Sequence, residues 1–137
     1  MTGTAGYSGT PLPTKLGIKE EHAVAFPGAP PEFAAALGSL PDRVAVKRTA
    51  RGSLDVIVLF VRRQAELRRR IDPLARAIHP AGGLWIAWPK RAARVPTDMT
   101  EDVVREVALP LGLVDNKVCA IDQTWSGLRL VWRRENR

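Results

Sequence analysis

The pattern of hydrophobic residues from Leu54 to Lys90 indicates the fold class more firmly than any other part of the chain. It begins with an almost uninterrupted apolar segment, Leu54–Val61, which is typical of a strand buried on both faces. Apolar residues then recur every three or four positions over Arg63–His79, which predicts an amphipathic helix. A turn at Pro80–Gly83 and a second apolar strand, Leu84–Trp88, follow. The segment therefore predicts one βαβ unit of a parallel sheet.

The residues before this unit predict further short elements. We expect two helices that start near Thr10 and Pro31, each closed by a glycine. Two short apolar strands, Ala23–Phe26 and Val44–Val46, accompany them. Within the central unit, Pro73 should kink or divide the helix, because a proline removes one backbone donor.

The residues after this unit predict one more helix and a hairpin. Thr100 is a suitable N-cap for a helix that ends at Leu109–Gly112. Two strands, Lys117–Ile121 and Leu128–Trp132, are joined by Asp122–Gly127 as an antiparallel hairpin. The whole order predicts an α/β fold, a three-layer Rossmann-like sandwich with a mostly parallel sheet and a C-terminal antiparallel hairpin.

Length and composition fit one globular domain. The chain has 137 residues, of which we expect 1–9 to be a flexible N-terminus and 10–137 to form the domain. Hydrophobic residues make up 45% of it, and no apolar run is long enough to cross a membrane. The single cysteine, Cys119, excludes an internal disulfide, and we expect it to be a buried apolar side chain on a strand. With no secretory signal at the start, we expect a cytoplasmic location.

The chain is basic, with a formal net charge of +7. Three clusters, Arg62–Arg76, Lys90–Arg94 and Arg133–Arg137, would make salt-dependent contacts with nucleic acid if they shared one face. The sequence has no helix-turn-helix signature, zinc module or ribonucleoprotein aromatic motif. We therefore favour a solvated charged surface as the interpretation of these clusters.

From Leu54 onward the layout resembles the C-terminal half of class I, Rossmann-like methyltransferases. The first half of the chain departs from that family where the chemistry lies. A nucleotide or S-adenosylmethionine site needs glycines after the first strand, whereas Phe26–Pro31 contains one glycine and three prolines. The second strand, where an acid would bind the ribose hydroxyls, ends in Lys47 and Arg48. We therefore expect no cofactor, and we lean against an enzyme.

Short motifs along the chain are similar to a family of small bacterial proteins known as domain of unknown function 3052. The resemblance rests on Leu84–Lys90, on Trp125–Ser126 followed by Arg129–Val131, on Lys15–Ile18, and on the strand from Asp55. It implies a cytoplasmic bacterial protein. The family brings no established activity and no catalytic residue to this chain.

The carboxyl end of the predicted sheet is where we expect a ligand. Open α/β sheets bind ligands beyond the carboxyl ends of their strands, near the point where the strand order reverses. Lys90 and Arg91 would hold a phosphate or carboxylate there, and Trp88 would stack on a base. The alternative is that Trp88 packs against the next helix and Lys90 is solvated. The candidate residues for this crevice are Phe26, Gly28, Arg62, Trp88, Lys90 and Arg91.

A tryptophan and a serine in the predicted hairpin turn, and the two histidines, are further candidates. Trp125 and Ser126 fall in the predicted hairpin turn, where an aromatic residue can serve recognition. The alternative is that Trp125 covers the sheet edge, packed against Trp132 or the preceding helix. His22 and His79 lack partners at ligand spacing, so we expect no metal site.

Three hypotheses about function follow. The first is a non-catalytic Rossmann-like binding or interaction domain, whose cofactor loop is lost and which takes a small anionic ligand or a protein partner. The second is a degenerate S-adenosylmethionine-dependent transferase that uses the crevice near Trp88 and Lys90. The third is a nucleic-acid accessory protein, which rests on charge alone. We favour the first, because the sequence offers no pairing of a nucleophile with a base and therefore no catalytic residue. The oligomeric state stays open.

Overall fold

The computed structural model describes residues 9–137, so all but one residue of the predicted flexible N-terminus lies outside the described residues. Helices and strands follow one another there in the order that the sequence predicts. The helices are α1 (Leu12–Leu16), α2 (Phe33–Leu37), α3 (Gln64–Ala77) and α4 (Glu101–Ala108). The strands are β1 (Ala23–Ala25), β2 (Ala45–Lys47), β3 (Leu54–Phe60), β4 (Ile78–Pro89), β5 (Leu113–Ala120) and β6 (Trp125–Trp132).

The strands form one sheet in the order β2-β1-β3-β4-β6-β5. The first four strands are parallel, and β6 pairs antiparallel with both β4 and β5. From β1 the chain moves outward to β2 and then crosses back to β3 on the other side of β1. The strand order therefore reverses between β1 and β3, which are neighbours in the sheet.

Helices cover both faces of the sheet and produce two cores. On one face, Ile57 and Leu59 of β3 belong to a buried cluster with Leu67 of α3 and Val104 of α4. On the other face, the alternate residues of β3 pack with α1 and α2, for example Val58 with Leu16 and Phe33. This alternation along β3 explains its continuous apolar sequence and confirms the three-layer α/β fold class. In the described part of the chain, no helix is long and apolar enough to cross a membrane.

The prediction of a turn at Pro80–Gly83 is wrong, because these residues belong to a strand. Strand β4 begins at Ile78, directly after α3, and its first residues pair irregularly with β3, Ile78 opposite Leu54 and Gly83 opposite Val56. A Cβ atom on Gly82 would lie 2.7 Å from the carbonyl oxygen of Asp55. The glycine therefore permits close approach of two strands, which from sequence alone looks like turn chemistry.

Helix α3 is also not divided at Pro73, which lies inside one continuous helix. The proline removes the backbone donor that the carbonyl of Arg69 would otherwise receive. Both Pro73 and Arg69 are exposed, so water can solvate that carbonyl. The helix survives because the missing bond lies on its outer side.

The C-terminal hairpin is longer than predicted, because both strands begin earlier. Trp125 and Ser126 do not lie in the turn; they open β6 and pair with Pro89 and Trp88 of β4. The turn itself is held by Asp122, whose Oδ1 accepts the N–H groups of Thr124 and Trp125 at 2.8 Å each. Pairing with β4 extends the ladder of β6 back to Trp125, and this long-range contact has no local sequence signal.

Candidate functional site

The topology places the residues predicted for the crevice, together with Trp125 and Ser126, at one end of the sheet. Strands β1, β3 and β4 all end there, and the loops that follow carry Phe26, Gly28, Arg62, Lys90 and Arg91. Because β6 runs antiparallel to β4, its first residues lie at the same end, Trp125 opposite Pro89 and Ser126 opposite Trp88. The candidates are therefore brought to one edge, but they do not form one site.

Aromatic side chains fill the crevice between the ends of β1 and β3. Phe33, the first residue of α2, packs edge-on against Phe26 after β1, with ring centroids 5.0 Å apart, and against Phe60 at the end of β3, at 4.8 Å. Phe60 in turn packs edge-on against Trp125 at 5.1 Å. These four rings form a continuous chain from β1 to β6. They lie at the carboxyl ends of β1 and β3, where an open α/β sheet usually binds its ligand.

The loop after β1 closes the same crevice with its backbone. The N–H of Phe60 donates to the carbonyl of Pro27 at 3.0 Å, which ties the loop to the end of β3. Gly28 has a φ of +76°, and a Cβ atom there would lie 2.7 Å from the carbonyl oxygen of Phe60. In this chain the single glycine of the loop allows close contact with the neighbouring strand.

The segment after β4 crosses the carboxyl end and divides the remaining space. The Thr97 hydroxyl donates to the carbonyl of Arg62 at 2.6 Å. The Asp98 carboxylate accepts the N–H of Gln64 at 2.8 Å, and the Gln64 amide donates back to the Asp98 carbonyl at 2.9 Å. These bonds leave two neighbouring cavities, and Val95 lines both of them.

The first cavity, which we call the Trp88 cavity, has a volume of about 520 Å³. Its cations are Lys90 and Arg91, and they share it with the carboxylates of Asp98 and Glu101. Trp88 itself is only 7% exposed and belongs to the same buried cluster as the valines of α4. Trp88 thus packs against the next helix, which is the alternative to stacking on a base. Ser126 also lines the cavity, while Phe26 lines neither of the two.

The second cavity, which we call the Trp125 cavity, has a volume of about 610 Å³ and contains Gly28, Arg62 and Trp125. It also contains Arg63 and one carboxylate, Glu66. Among the described residues, neither arginine has a carboxylate within 4 Å. The Arg62 guanidinium lies 5.9 Å from the centre of the Trp125 ring, a cation–π contact. The charge of this cavity is therefore positive.

Trp125, which lines this cavity, has a hydrogen-bond donor without a partner. Its side chain is 3% exposed, and its buried indole N–H has no acceptor. The indole groups of Trp85 and Trp132, in contrast, donate to the carbonyls of Leu16 and Ala75, both at 3.1 Å. Native proteins rarely leave a buried donor unpaired, so such a group calls for an explanation. Trp125 also packs against Phe60, where the sequence pointed to Trp132 or a helix.

The histidine and cysteine candidates line neither of these two cavities. His22 and His79 belong to the opposite end of the sheet, where both line one cavity. Cys119 lies half-buried on β5, opposite Gly127 of β6, and burial raises the pKa of its thiol. In the part of the chain that the structure describes, no group of histidine, cysteine and acidic residues has the arrangement of a metal site.

The basic clusters do not share one end of the sheet. Lys90–Arg94 follows the carboxyl end of β4. Arg133–Arg137 follows β6, which runs in the opposite direction and therefore leaves the sheet at the amino end of β4. On α3, Arg76 pairs with Asp72 at 3.0 Å. A nucleic-acid function thus stays a prediction from charge, without a common surface for all three clusters.

No protein-family model and no curated protein sequence matches this chain. Its similarity to domain of unknown function 3052 therefore stays a prediction from the tryptophan motifs. Solved structures do match. A putative type 11 methyltransferase from Sulfolobus solfataricus has a TM-score of 0.60 at 14% identity, with 89% of each chain covered.

Two further matches are of the same kind. An S-adenosylmethionine-dependent methyltransferase from Aquifex aeolicus has a TM-score of 0.54 at 15% identity, with 85% of each chain covered. Magnesium protoporphyrin IX methyltransferase from Synechocystis, solved with bound S-adenosylmethionine, has a TM-score of 0.56 at 12% identity and covers 89% of this chain and 74% of its own. At these identities the likeness concerns the fold alone. The chain has a Rossmann-like, methyltransferase-like α/β fold.

Proposed function

We propose that this protein is a non-catalytic binding domain that uses the Trp125 cavity for a small anionic ligand. The observation that carries the proposal is that the lining of one cavity combines Trp125, whose indole N–H is unpaired, with two arginines that have no carboxylate within 4 Å among the described residues. An anion with several oxygens could accept from the indole and from Arg62 and Arg63 together. Charge-assisted hydrogen bonds of this kind are the stronger ones in proteins.

The packing at the ends of β1 and β3 supports a role without S-adenosylmethionine. The chain of rings from Phe26 to Trp125 occupies the crevice, and the loop at Gly28 lies against β3. The helix after β1, α2, has only five residues and begins with the packed side chain of Phe33. It therefore offers no open N-terminus of the kind that holds a pyrophosphate in nucleotide-binding Rossmann folds.

The residues around the Trp125 cavity also support a role without catalysis. Its described lining has one carboxylate, Glu66, and no serine, cysteine, threonine or histidine. A nucleophile paired with a base is the usual requirement for covalent catalysis, and this lining offers none. The Trp88 cavity has equal numbers of cations and carboxylates, so it suits an anion less well.

The indole N–H signals of the tryptophans test the proposal directly. The chain has four tryptophans, and Trp125→Phe identifies the signal of Trp125 in a ¹H–¹⁵N spectrum. Titration with inorganic phosphate and with malonate should shift the Trp125 indole proton downfield as it gains an acceptor. The Trp85 signal should stay in place, because Leu16 already accepts its proton.

Arg62→Gln should weaken this response at least about tenfold, since a hydrogen bond to a charged group contributes about 1.5–3 kcal/mol. Arg68→Gln is the matched control, because Arg68 is an exposed arginine of α3 outside the cavity lining. A Trp125 signal that ignores both anions, or that responds equally in Arg62→Gln and wild type, would refute the proposal.

A degenerate transferase is the second candidate, and the fold likeness to methyltransferases favours it. Such an enzyme would need S-adenosylmethionine to reach the carboxyl end despite the packed rings. Binding of S-adenosylmethionine that is lost in Lys90→Ala would support this candidate over a binding domain. A protein partner at the same edge stays a prediction.

A further inference from the structure

A second basic groove lies at the opposite end of the sheet from the Trp125 cavity. Two adjoining cavities of about 380 and 250 Å³ share Gly17 and Arg129 in their linings. The larger one reaches the amino ends of β3 and β4, at Asp55 and Gly82. The smaller one reaches the middle of β5, at Lys117. Together they form what we call the Arg129 groove.

Arg129 is the unusual residue of this groove, because it is a half-buried cation without a partner. It lies on β6 between Trp85 and Lys117 of the neighbouring strands. Its guanidinium lies over Gly83, where a Cβ atom would be 2.8 Å from its Cζ and Nη2 atoms. Among the described residues, its side chain has no hydrogen bond and no ion pair.

The surroundings of Arg129 disfavour its positive charge. Burial lowers the pKa of its guanidinium, and repulsion from Arg137 lowers it further. A partly desolvated charge normally has an opposite charge or hydrogen-bond partners nearby. An anion in the groove would supply both, and the glycine at position 83 provides the space in which the guanidinium lies.

The two histidines add hydrogen-bonding groups to the same groove. The Nδ1 atoms of His22 and His79 accept the backbone N–H groups of Lys19 and Ala81, each at 3.1 Å. In a neutral ring the proton must then be on Nε2, which can donate to a ligand. Both histidines line the larger cavity together with Arg129 and Lys19.

Two lysines on the smaller side are held in fixed positions by backbone carbonyls. Lys15 donates to the carbonyl of Ala120 at 3.1 Å, and Lys117 donates to the carbonyl of Lys15 at 2.9 Å. The one carboxylate in the described lining of the groove is that of Asp55, which accepts the N–H of Ala23 at 2.8 Å. Cations thus outnumber carboxylates, and the groove is suited to an anion with more than one charge.

We infer that the Arg129 groove binds the phosphate groups of a small phosphorylated molecule. Arg129 would contact two phosphate oxygens with its planar guanidinium, as arginine does at phosphate sites. Lys19 would add charge, and the Nε2–H groups of His22 and His79 would complete the set of donors. This site is separate from the Trp125 cavity and does not depend on the function proposed for it.

Pyrophosphate titration followed by amide NMR separates the two sites, because their backbone signals differ. In wild type, the amide signals of Lys19, Ala81 and Gly83 should shift with a saturable response. Arg129→Gln should weaken that response at least about tenfold. Lys19→Gln, a change at an exposed position that does not threaten the fold, should weaken it severalfold. Arg68→Gln on α3 should leave it unchanged.

The inference is overturned if millimolar pyrophosphate leaves these three amides in place, or if Lys19→Gln and Arg129→Gln respond as wild type does. Should Arg129→Gln fail to fold, as judged by its amide spectrum, Lys19→Gln decides. Binding of single-stranded RNA at these amides without any response to pyrophosphate would also overturn it, since a nucleic-acid surface would then replace a small-molecule site. A signal change confined to Trp125 concerns only the other cavity and counts against the groove.

Discussion

Trp85 and Trp125 are both almost fully buried, but only one of their indole groups has an acceptor. The Trp85 N–H satisfies the carbonyl of Leu16, which lies in the same buried core. The Trp125 indole N–H is buried without a hydrogen-bond acceptor. A buried polar group without a partner costs about 1–3 kcal/mol of folding stability. The same residue type therefore contributes differently to stability at these two positions.

Phenylalanine substitution should reveal this difference. Trp85→Phe leaves the Leu16 carbonyl buried without a donor, whereas Trp125→Phe removes a donor that had no acceptor. We expect Trp85→Phe to lower the free energy of unfolding by at least about 1 kcal/mol more than Trp125→Phe does, in urea titrations with equal m-values. Trp132→Phe, which loses a bond to Ala75 at a half-buried site, should fall between them. Equal losses at positions 85 and 125 would contradict this view of Trp125.

For single residues, the sequence predicted their position in the fold better than it predicted the side chains and cavities around them. The pattern placed Arg62, Lys90 and Trp88 at the ends of strands, and the structure has them there. It could not assign them to separate cavities, because the division depends on the bond from Thr97 to Arg62, 35 positions apart. Arg129 gave a faint signal as a polar residue between two apolar ones in β6. That its guanidinium lies over Gly83 of another strand is a tertiary contact, which no local pattern contains.

Among the elements, the loop after β1 shows most clearly how the chain departs from a cofactor-binding fold. Its glycine and prolines could be recognised from the sequence as unsuited to a nucleotide. The contact of Gly28 with the carbonyl of Phe60 could not be recognised from the sequence, because it requires β1 and β3 to be neighbours in the sheet. The same limit explains the wrong turn at Pro80–Gly83, where glycine serves close strand pairing. Helix ends with local caps were predicted correctly, such as Thr100, whose hydroxyl oxygen accepts the N–H of Val103.

Alanine substitution of two glycines with similar φ angles tests whether the loop after β1 packs against β3. Gly17 has a φ of +82° with nothing within 4 Å of a Cβ position, and Gly28 has a φ of +76° with the Phe60 oxygen at 2.7 Å. Gly17→Ala should cost about 1–2 kcal/mol for the left-handed conformation alone. Gly28→Ala should cost about 1–3 kcal/mol more, because the carbonyl must also move. Thermal or urea unfolding of both variants measures the difference, and equal costs would mean that the loop lies free of β3.

At the scale of the whole molecule, the order of elements was sufficient to predict the fold class. Alternating helices and strands followed by a terminal pair gave a parallel sheet with an antiparallel edge, and the strand order β2-β1-β3-β4-β6-β5 has this form. Function did not follow in the same way, because the fold is shared with methyltransferases while the crevice is filled by this chain's own phenylalanines. A fold does not by itself determine a function.

The most direct test of this account is a calorimetric titration of the protein with S-adenosylmethionine. If the rings of Phe26, Phe33 and Phe60 occupy the cofactor crevice as the structure has them, millimolar S-adenosylmethionine should give no heat beyond that of dilution. The same sample should still respond to phosphate at Trp125, which shows that it is folded and competent to bind. Saturable binding of S-adenosylmethionine would contradict the account, because the crevice would then be open and the transferase hypothesis would take precedence.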